Sequence, residues 1–346
     1  MYYSVHVIQN VLHNILHVYI TYYTHVIHDK GIEKMTELTT TNTALQSLSF
    51  NTINDLEASY VRYLDSCPAT VETYTKNLKR FFEYTRENHI ARPQREDIKS
   101  YREYLKNKGL KPTTIQNYMT AVKLFFKWAS QNGYCENVAD HVKGVKLSRD
   151  HKKDSMTSEQ AREVITSIDT SSDKGKRDYA IVTLMVSCGL RDIEVQRANI
   201  EDLRTVGDST ALYVQGKGRE ERTEFVKVPA PVERAIRDYL RTRKSYKDSD
   251  PLFVSVSNHG KDDRLTTRSI SRLVKDSMIE AGYDSSRLTA HSLRHTAITL
   301  SILSGKRLDE VQQYARHKNL NTTMIYNHAI DAAKNTCSDA VADLLF

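Results

Sequence analysis

The sequence predicts a mainly α protein with a small antiparallel β-sheet, an α+β chain of two domains. Three observations lead to this prediction. Apolar side chains recur at helical spacing throughout residues 51–147, two short β-type runs flank a glycine-rich turn between residues 211 and 228, and helical patterns return from residue 267 onward. With 346 residues, the chain is long enough for two ordinary domains.

The composition is that of a globular protein with a net positive charge. Hydrophobic residues make up 39% of the chain and charged residues 27%, and the formal net charge is +7. A positive charge favours a partner such as nucleic acid, although charge alone does not identify one. The four cysteines lie far apart and form no C-x-x-C pair, which argues against a zinc site or disulfide framework and fits a cytoplasmic protein.

The first 34 residues differ from the rest in being rich in Val, Ile, Tyr and His. Histidine and asparagine interrupt the apolar runs, so no stretch reaches the roughly 18 apolar residues of a membrane helix. The basic region and cleavage site of a signal peptide are also missing. We expect translation to start at Met35, with residues 1–34 a non-native or disordered extension and residues 35–50 a short N-terminal segment.

Residues 51–147 are predicted to form a helical domain of four amphipathic helices. Pro68, Pro93 and Pro112 separate them, because proline interrupts helical hydrogen bonding. The apolar positions follow the i, i+3, i+4, i+7 spacing of a buried stripe. They are Ile53, Leu56, Tyr60 and Leu64, then Val71, Tyr74, Leu78, Phe81 and Phe82, then Ile98, Tyr101 and Leu105, and finally Ile115, Tyr118, Met119, Val122, Phe125 and Phe126.

The opposite faces of the second and fourth helices carry side chains suited to DNA. Lysine and arginine contact phosphates, and asparagine and threonine donate hydrogen bonds to the backbone or to base edges. For each residue alone, an ordinary solvated surface is the alternative. The candidate DNA-contact residues are Lys76, Lys79, Arg80, Thr113, Thr114, Asn117, Lys123 and Lys127.

The second domain is predicted at residues 156–338, after a linker at residues 148–155 that is charged and free of apolar side chains. Thr157 begins its first helix with a capping box. The nearly continuous apolar run from Tyr179 to Leu190 predicts a buried helix. Strands are predicted at Ala211–Gln215, Thr223–Val228 and Leu252–Ser255, and a separate tail at residues 339–346.

A scattered set of side chains in this domain could bind a phosphodiester and attack it without a metal ion. Arginine and lysine neutralise phosphate oxygens, histidine transfers protons, and tyrosine can act as a nucleophile. The set consists of Arg191, Lys217, His291, Arg294, His317 and Tyr326.

Arg191 is predicted at the start of a helix, just after Gly189 ends the buried one. Free N–H groups at a helix start favour an anion, and arginine adds a planar forked donor. Glu194 lies three residues further on the same face and could hold the guanidinium in place. A simple surface ion pair is the alternative.

Lys217 lies between two glycines at the tip of the predicted hairpin, from which an ammonium group could reach a bound ligand. An ordinary turn lysine is the alternative, and Arg219 and Arg222 are nearby rivals for the same role.

His291 and Arg294 are predicted to share a face at the start of a helix, where they could bind one phosphate together. His291 and His295 have the i, i+4 spacing of metal ligands, but no third ligand or catalytic glutamate accompanies them. We therefore expect no metal site.

Four runs of sequence strongly resemble the tyrosine recombinase or phage integrase family. They are GLRDIEV from residue 189, GKG from residue 216, HSLRHTAITL from residue 291 and ARHKNLNTTMIYNH from residue 315. The resemblance covers the chain from about residue 51 onward in a two-domain, Xer-like layout. It implies a helical core-binding domain and a catalytic domain that form a C-shaped clamp on DNA. One departure is that Ala315-Arg316-His317 stands where Leu-Gly-His is usual, which affects the local packing and turn geometry.

The resemblance also implies a mechanism. Tyr326 would attack the scissile phosphate, leaving a 3′-phosphotyrosine and a free 5′-hydroxyl. The two arginines would neutralise the non-bridging oxygens, and Lys217 would protonate the departing oxygen. His291 would act in proton transfer with Tyr326, His317 would hydrogen-bond the phosphate, and Glu194 would support Arg191. No metal or cofactor is expected.

Double-stranded recombination sites are the implied partner, and a DNA-bending or directionality factor is an implied accessory protein. The chain is expected to be a homotetramer in the synaptic complex and a monomer in free solution. A narrow apolar stripe in the tail would dock on a neighbouring protomer, although packing on its own domain is the alternative. The stripe consists of Ala340, Val341, Leu344 and Leu345.

Several functions stay open within this interpretation. The departure at residues 315–317 favours integration of a mobile element over resolution of chromosome or plasmid dimers. A type IB topoisomerase uses similar chemistry, but it would relax supercoils as a monomer. A DNA-binding regulator with a silent site is the third alternative, which the complete set of site residues disfavours.

Overall fold

The computed structural model describes residues 58–90, 92–146, 154–216, 221–256 and 262–346. The chain divides into two units, Met1–Arg149 and Asp150–Phe346. Several predicted features lie outside the described residues. They are the N-terminal extension and segment, the start at Met35, most of the linker, and Lys217. No helix within the described ranges is both long and apolar enough to cross a membrane.

The described part of the first unit is helical, as the sequence predicts. Proline occupies the first position of two of its helices, where its missing N–H group costs nothing and its fixed φ suits the helix. The helices are α1 (residues 58–64), α2 (Pro68–Glu87), α3 (Arg95–Asn107) and α4 (Pro112–Gln131).

Aromatic side chains hold these helices together. The ring of Phe81 on α2 meets Tyr101 of α3 edge-on at a centroid distance of 5.1 Å and Phe126 of α4 at 5.9 Å. Tyr60 of α1 packs against Trp128 of α4 at 5.2 Å. These side chains are fully buried, so they contribute both apolar area and favourable ring geometry.

The second unit combines helices with one small sheet. Its helices are α5 (Ser158–Ser167), α6 (Asp173–Cys188), α7 (Asp192–Arg197), α8 (Ala230–Leu240), α9 (Thr267–Glu280), α10 (Ala290–Leu303), α11 (Leu308–Ala315), α12 (Leu320–Ala333) and α13 (Cys337–Leu345). Helix α6 is the predicted buried helix. Because Ile181, Leu184 and Met185 are fully buried, this helix lies at the centre of the core and fixes where its C-terminus presents the next residues.

The sheet contains β1 (Leu203–Val206), β2 (Ser209–Val214) and β3 (Glu224–Val228), paired antiparallel in that order. The two predicted hairpin strands correspond to β2 and β3, with Leu212 opposite Val226. Strand β1 was not predicted, because it is short and mostly exposed and so lacks an apolar alternation.

The predicted strand at Leu252–Ser255 is wrong. Val254 forms only an isolated bridge with Arg264. The backbone N–H of Leu252 donates to the carbonyl of Ala198, and that of Val254 donates to the hydroxyl of Tyr239. The segment's hydrogen bonds therefore go to a loop and a side chain rather than to a neighbouring strand.

Candidate active site

Arg191 and Glu194 form a capping pair at the start of α7, in which the carboxylate is buried and the guanidinium is partly exposed. Gly189 ends α6 in the left-handed conformation (φ 59°), and the chain then turns so that Arg191 is the N-cap of α7. One Glu194 oxygen accepts the Arg191 backbone N–H at 2.8 Å, and the other accepts its Nη1 at 2.7 Å. Since the Glu194 side chain is 0% exposed and that of Arg191 is 28% exposed, this is not a surface ion pair.

The pKa of Glu194 is lowered despite its burial. Burial raises the pKa, but the charge of Arg316, the backbone N–H of Arg191, and the charges of Arg191 and Arg294 together outweigh that effect. The carboxylate is therefore charged at neutral pH and can orient the arginines around it.

Arg294 lies on α10 and joins the ends of two other helices. One terminal nitrogen donates to the carbonyl of Gly189, at the end of α6, and the other donates to the carbonyl of Ala315, at the end of α11. Burial, together with the charges of Arg191 and Arg316, lowers the pKa of Arg294 to about 10. The guanidinium stays charged at neutral pH, and its position is set by both carbonyls.

Tyr326 lies on α12 with its hydroxyl against a histidine. Its Oη is 2.5 Å from Nδ1 of His295, and the two ring centroids are 5.3 Å apart. Burial raises the pKa of the phenol to about 12, against the opposing charges of Arg294 and Arg191. A phenol with so high a pKa needs a base to become a nucleophile, and His295 is in hydrogen-bonding position.

The sequence interpretation missed His295 as a site residue and considered it only as a metal ligand. His291, to which it gave the proton-transfer role, is exposed in the first turn of α10. The two rings meet edge-on with centroids 4.6 Å apart. Their i, i+4 spacing was the available signal, because it places both rings on one helix face.

His317 also faces the tyrosine. Its ring is nearly parallel to that of Tyr326, with centroids 6.2 Å apart. Nδ1 of His317 lies 2.9 Å from the hydroxyl of Thr323, and its carbonyl accepts from Nε2 of Gln312 at 3.0 Å. The imidazole is thus oriented by Thr323 of α12, and the backbone of His317 is held by Gln312 of α11.

Lys217 and Arg219 lie outside the described residues, but the base of their hairpin is placed. Nη1 of Arg197, the last residue of α7, donates to the carbonyl of Gly216 at 3.1 Å. Arg222, the other rival, has its Nε 3.1 Å from the carboxylate of Asp202 and also donates to the carbonyl of Arg197. These contacts give Arg222 a structural role in anchoring the hairpin.

The departure from the expected Leu-Gly-His run places an arginine inside the site. Arg316 follows α11 in the left-handed conformation, and its Nη2 donates to Oε2 of Glu194 at 2.8 Å. Its side chain is 4% exposed. Arg316 was absent from the predicted set because its partner is 122 residues away along the chain.

The structure exposes six of the eight candidate DNA-contact residues on α2 and α4 of the first unit. Lys76 is paired with Glu72 at 2.6 Å in an exposed i, i+4 ion pair, which fits the solvated-surface alternative for that lysine. Exposed side chains are those of Lys76, Lys79, Arg80, Thr113, Asn117 and Lys127, whereas Thr114 and Lys123 are half-buried.

The arrangement can bind an anion and attack it. Two arginines bond one buried carboxylate, and the ring of one tyrosine contacts the rings of two histidines. Among the residues that the structure describes, no group of three His, Cys, Asp or Glu is placed to hold a metal ion.

Two family models match the chain. One, described as the phage integrase family, covers residues 154–333, and the other, described as the phage integrase N-terminal SAM-like domain, covers residues 58–133. A tyrosine recombinase XerC from Caldanaerobacter subterraneus subsp. tengcongensis is 33% identical over 200 residues, which are 57% of this chain and 53% of that protein. This match spans about half the length of that relative.

Longer matches extend over both units. A tyrosine recombinase from Synechococcus elongatus is 28% identical over 291 residues, which are 80% of this chain and 90% of that protein. Among solved structures, the XerH site-specific recombinase bound to a palindromic difH substrate in a post-cleavage complex has a TM-score of 0.65 at 20% identity. The similarity covers 96% of this chain and 97% of that one, and it shows a shared fold.

Proposed function

We propose, given that this chain belongs to the phage integrase family of tyrosine-type site-specific DNA recombinases, that it exchanges DNA strands through a covalent 3′-phosphotyrosine at Tyr326. The observation that carries this proposal is the 2.5 Å contact between the buried Tyr326 hydroxyl and His295, beside an arginine cluster. A nucleophile, a base and cations are thus supplied by one unit of one chain.

Charge neutralisation falls to Arg191 and Arg294. As Tyr326 attacks, negative charge grows on the non-bridging phosphate oxygens, and fixed cations stabilise that charge more than they stabilise the ground state. Arg191 is partly exposed and can reach a ligand, whereas Glu194 behind it limits its motion. Arginine charge takes the place that a metal ion occupies in other phosphoryl-transfer enzymes.

The proposed residues include a proton acceptor for Tyr326 and a proton donor for the leaving oxygen. The Oη–P bond forms as the P–O5′ bond breaks, His295 accepts the phenol proton, and Lys217 gives a proton to the departing O5′. His291, exposed at the start of α10, then shares the phosphate with Arg294, and His317 donates a further hydrogen bond to it. Attack by the 5′-hydroxyl of a partner DNA reverses the step, so the phosphoester energy is conserved.

DNA is the proposed substrate, with the exposed residues of α2 and α4 as candidate phosphate contacts in the first unit and the tyrosine site in the second. The tail supports a multimer: every residue of α13 is exposed, and Leu344 and Leu345 are 85% and 70% exposed. Apolar surface of this kind is typical of a docking segment. We propose that α13 docks on a neighbouring protomer in a tetramer on two sites, with the free chain a monomer.

The biological outcome has two candidates. The departure at Ala315-Arg316-His317 favours integration of a mobile element, and the similarity to Xer recombinases favours dimer resolution. A plasmid that carries two copies of the bound site is introduced into cells that produce the protein. Recovery of the plasmid integrated into other DNA would favour integration, and recovery of resolved monomers would favour dimer resolution.

The test of the proposal begins with DNA sites selected from a random pool by binding to the purified chain. The selected site is then supplied as a nicked suicide substrate. Wild-type protein should form a covalent adduct that Tyr326→Phe does not form. Tyr283→Phe, which removes a hydroxyl bonded to Glu163 outside the site, is the matched control and should form the adduct.

Each other outcome contradicts the proposal. An adduct from Tyr326→Phe would move the nucleophile elsewhere. Site-specific binding without an adduct from wild type would support a silent DNA-binding regulator. Relaxation of supercoiled plasmid that lacks the selected site would support a type IB topoisomerase.

A further inference from the structure

Arg316 adopts a backbone conformation that arginine disfavours. At the end of α11 its φ is 53° and its ψ is 44°, which is the left-handed region. Glycine enters this region at no steric cost, whereas a residue with a Cβ atom is strained there. Strain of this kind persists only where other contacts hold the residue in place.

The contacts that hold Arg316 come from its guanidinium. Nη2 donates to Oε2 of Glu194 at 2.8 Å and to the carbonyl of Gly189 at 3.3 Å, and Nη1 donates to the carbonyl of Tyr314 at 3.0 Å. The turn itself needs only backbone atoms, because Arg316 N–H donates to the carbonyl of Gln313. The hydrogen bonds of the guanidinium are therefore not needed to form the turn.

Glu194 is shared between two arginines. Arg191 bonds one carboxylate oxygen through Nη1, and Arg316 bonds the other oxygen. A carboxylate fixed at both oxygens cannot rotate, so it holds the Arg191 guanidinium in one orientation. The positive charge of Arg316 also offsets part of the negative charge of Glu194. The Arg191 guanidinium is therefore less neutralised and attracts an outside anion more strongly.

We propose that Arg316 is a positioning residue that fixes the Glu194 carboxylate and, through it, aims the Arg191 guanidinium at the DNA phosphate. This role rests on the proposed recombinase function. Arg316 itself is too buried to be a catalytic residue, since its side chain is 4% exposed. It is also absent from the set of residues that the family resemblance implies.

The test compares Arg316→Gly and Arg316→Lys with wild type on the selected suicide site. Glycine keeps the left-handed turn without strain, so the variant should fold, and lysine keeps the charge without the fork. We expect Arg316→Gly to bind the site with unchanged affinity but to cleave it about 10-fold to 100-fold more slowly, because a small misplacement of a catalytic group is costly. Arg316→Lys should recover part of the rate.

A double variant separates positioning from a general structural role. If Arg316 acts through Glu194, the rate lost in Arg316→Gly should largely disappear when Glu194→Gln is already present, because coupled residues are not additive. Arg241→Ala is the matched control, since it removes an exposed arginine that is paired with Asp238 on α8. It should leave the cleavage rate unchanged.

The pH profile of cleavage, measured over the pH range in which each variant stays folded, provides a further readout. Glu194 is faced by Arg191, Arg294 and Arg316, of which Arg316 lowers its pKa most. In Arg316→Gly the Glu194 pKa should rise, so the acidic limb of the cleavage profile should move to higher pH.

The outcomes distinguish this inference from the proposed function. If wild type forms no adduct, the recombinase proposal fails and this inference fails with it. If wild type forms the adduct, the inference alone is overturned by any of three results: wild-type cleavage by Arg316→Gly, equal loss of DNA binding and cleavage, or rate losses that simply add in the double variant.

Discussion

The hydroxyl oxygen of Tyr326 lies 2.5 Å from Nδ1 of His295, although the two residues are 31 positions apart and on different helices. His295 is therefore the histidine in position to accept the phenol proton. Because burial raises the phenol pKa to about 12, little phenolate exists at neutral pH without such an acceptor.

His295→Ala should slow single-turnover cleavage of the selected suicide site by about 100-fold, within the range of general acid–base contributions. DNA affinity should not change. Without the histidine, hydroxide must ionise the phenol, so the variant's rate should keep rising toward alkaline pH. His328→Ala removes an exposed histidine from α12 and serves as control. If His295→Ala kept full activity and His291→Ala were inactive, His291 would be the residue that accepts the phenol proton.

Glu194 should make stability depend on pH. Its folded-state pKa is depressed below the value of about 4.3 in the unfolded chain, so it contributes stability above that unfolded value. This contribution is lost as the pH falls through the folded pKa. The free energy of unfolding, measured by urea titration, should differ most between wild type and Glu194→Gln at neutral pH. The difference should shrink in acid.

Glu280→Gln changes an exposed glutamate of α9 and should differ little from wild type across the same range. A Glu194→Gln difference that is as large in acid as at neutral pH would contradict the assigned ion pairs.

The exposed cations of α2 should contribute to DNA affinity through phosphates. Replacing both Lys79 and Arg80 with alanine should weaken binding to all sequences and lower the slope of log K against log salt by about 1.8, since each phosphate contact contributes about 0.9. Filter binding over a salt series measures this slope. Lys99→Ala, which changes an exposed ion pair with Glu96 on α3, is the control. An unchanged slope in the double variant would show that these two side chains do not contact phosphates.

Deleting residues 339–346 should leave the catalytic unit folded, because every residue of α13 is exposed. The thermal midpoint should therefore change little, whereas assembly of two DNA sites into one complex should be lost. Electrophoretic mobility of mixed short and long sites detects this assembly. Normal assembly and cleavage order after the deletion would show that the apolar tail is not a docking segment.

Much of the fold followed from local pattern. The helices of the first unit were predicted because apolar side chains at helical spacing mark a buried stripe, and Pro68 and Pro112 mark where two of them begin. Strand β1 and the irregular segment at Leu252–Ser255 were not predicted correctly. Strand β1 is short and mostly exposed, so no apolar alternation marks it. The apolar segment at Leu252–Ser255 bonds to Ala198 and Tyr239 far along the chain, and residue type alone does not identify such partners.

The sequence by itself determined the pairing of Arg191 with Glu194, because residues three apart at a helix start are neighbours whatever surrounds them. Only the tertiary structure decided that His295 contacts Tyr326, and that Arg316 shares the carboxylate of Glu194. Helical periodicity tells which residues share a face, but the packing of one helix against another decides what that face meets. That packing depends on the whole buried core, which no local run of residues contains.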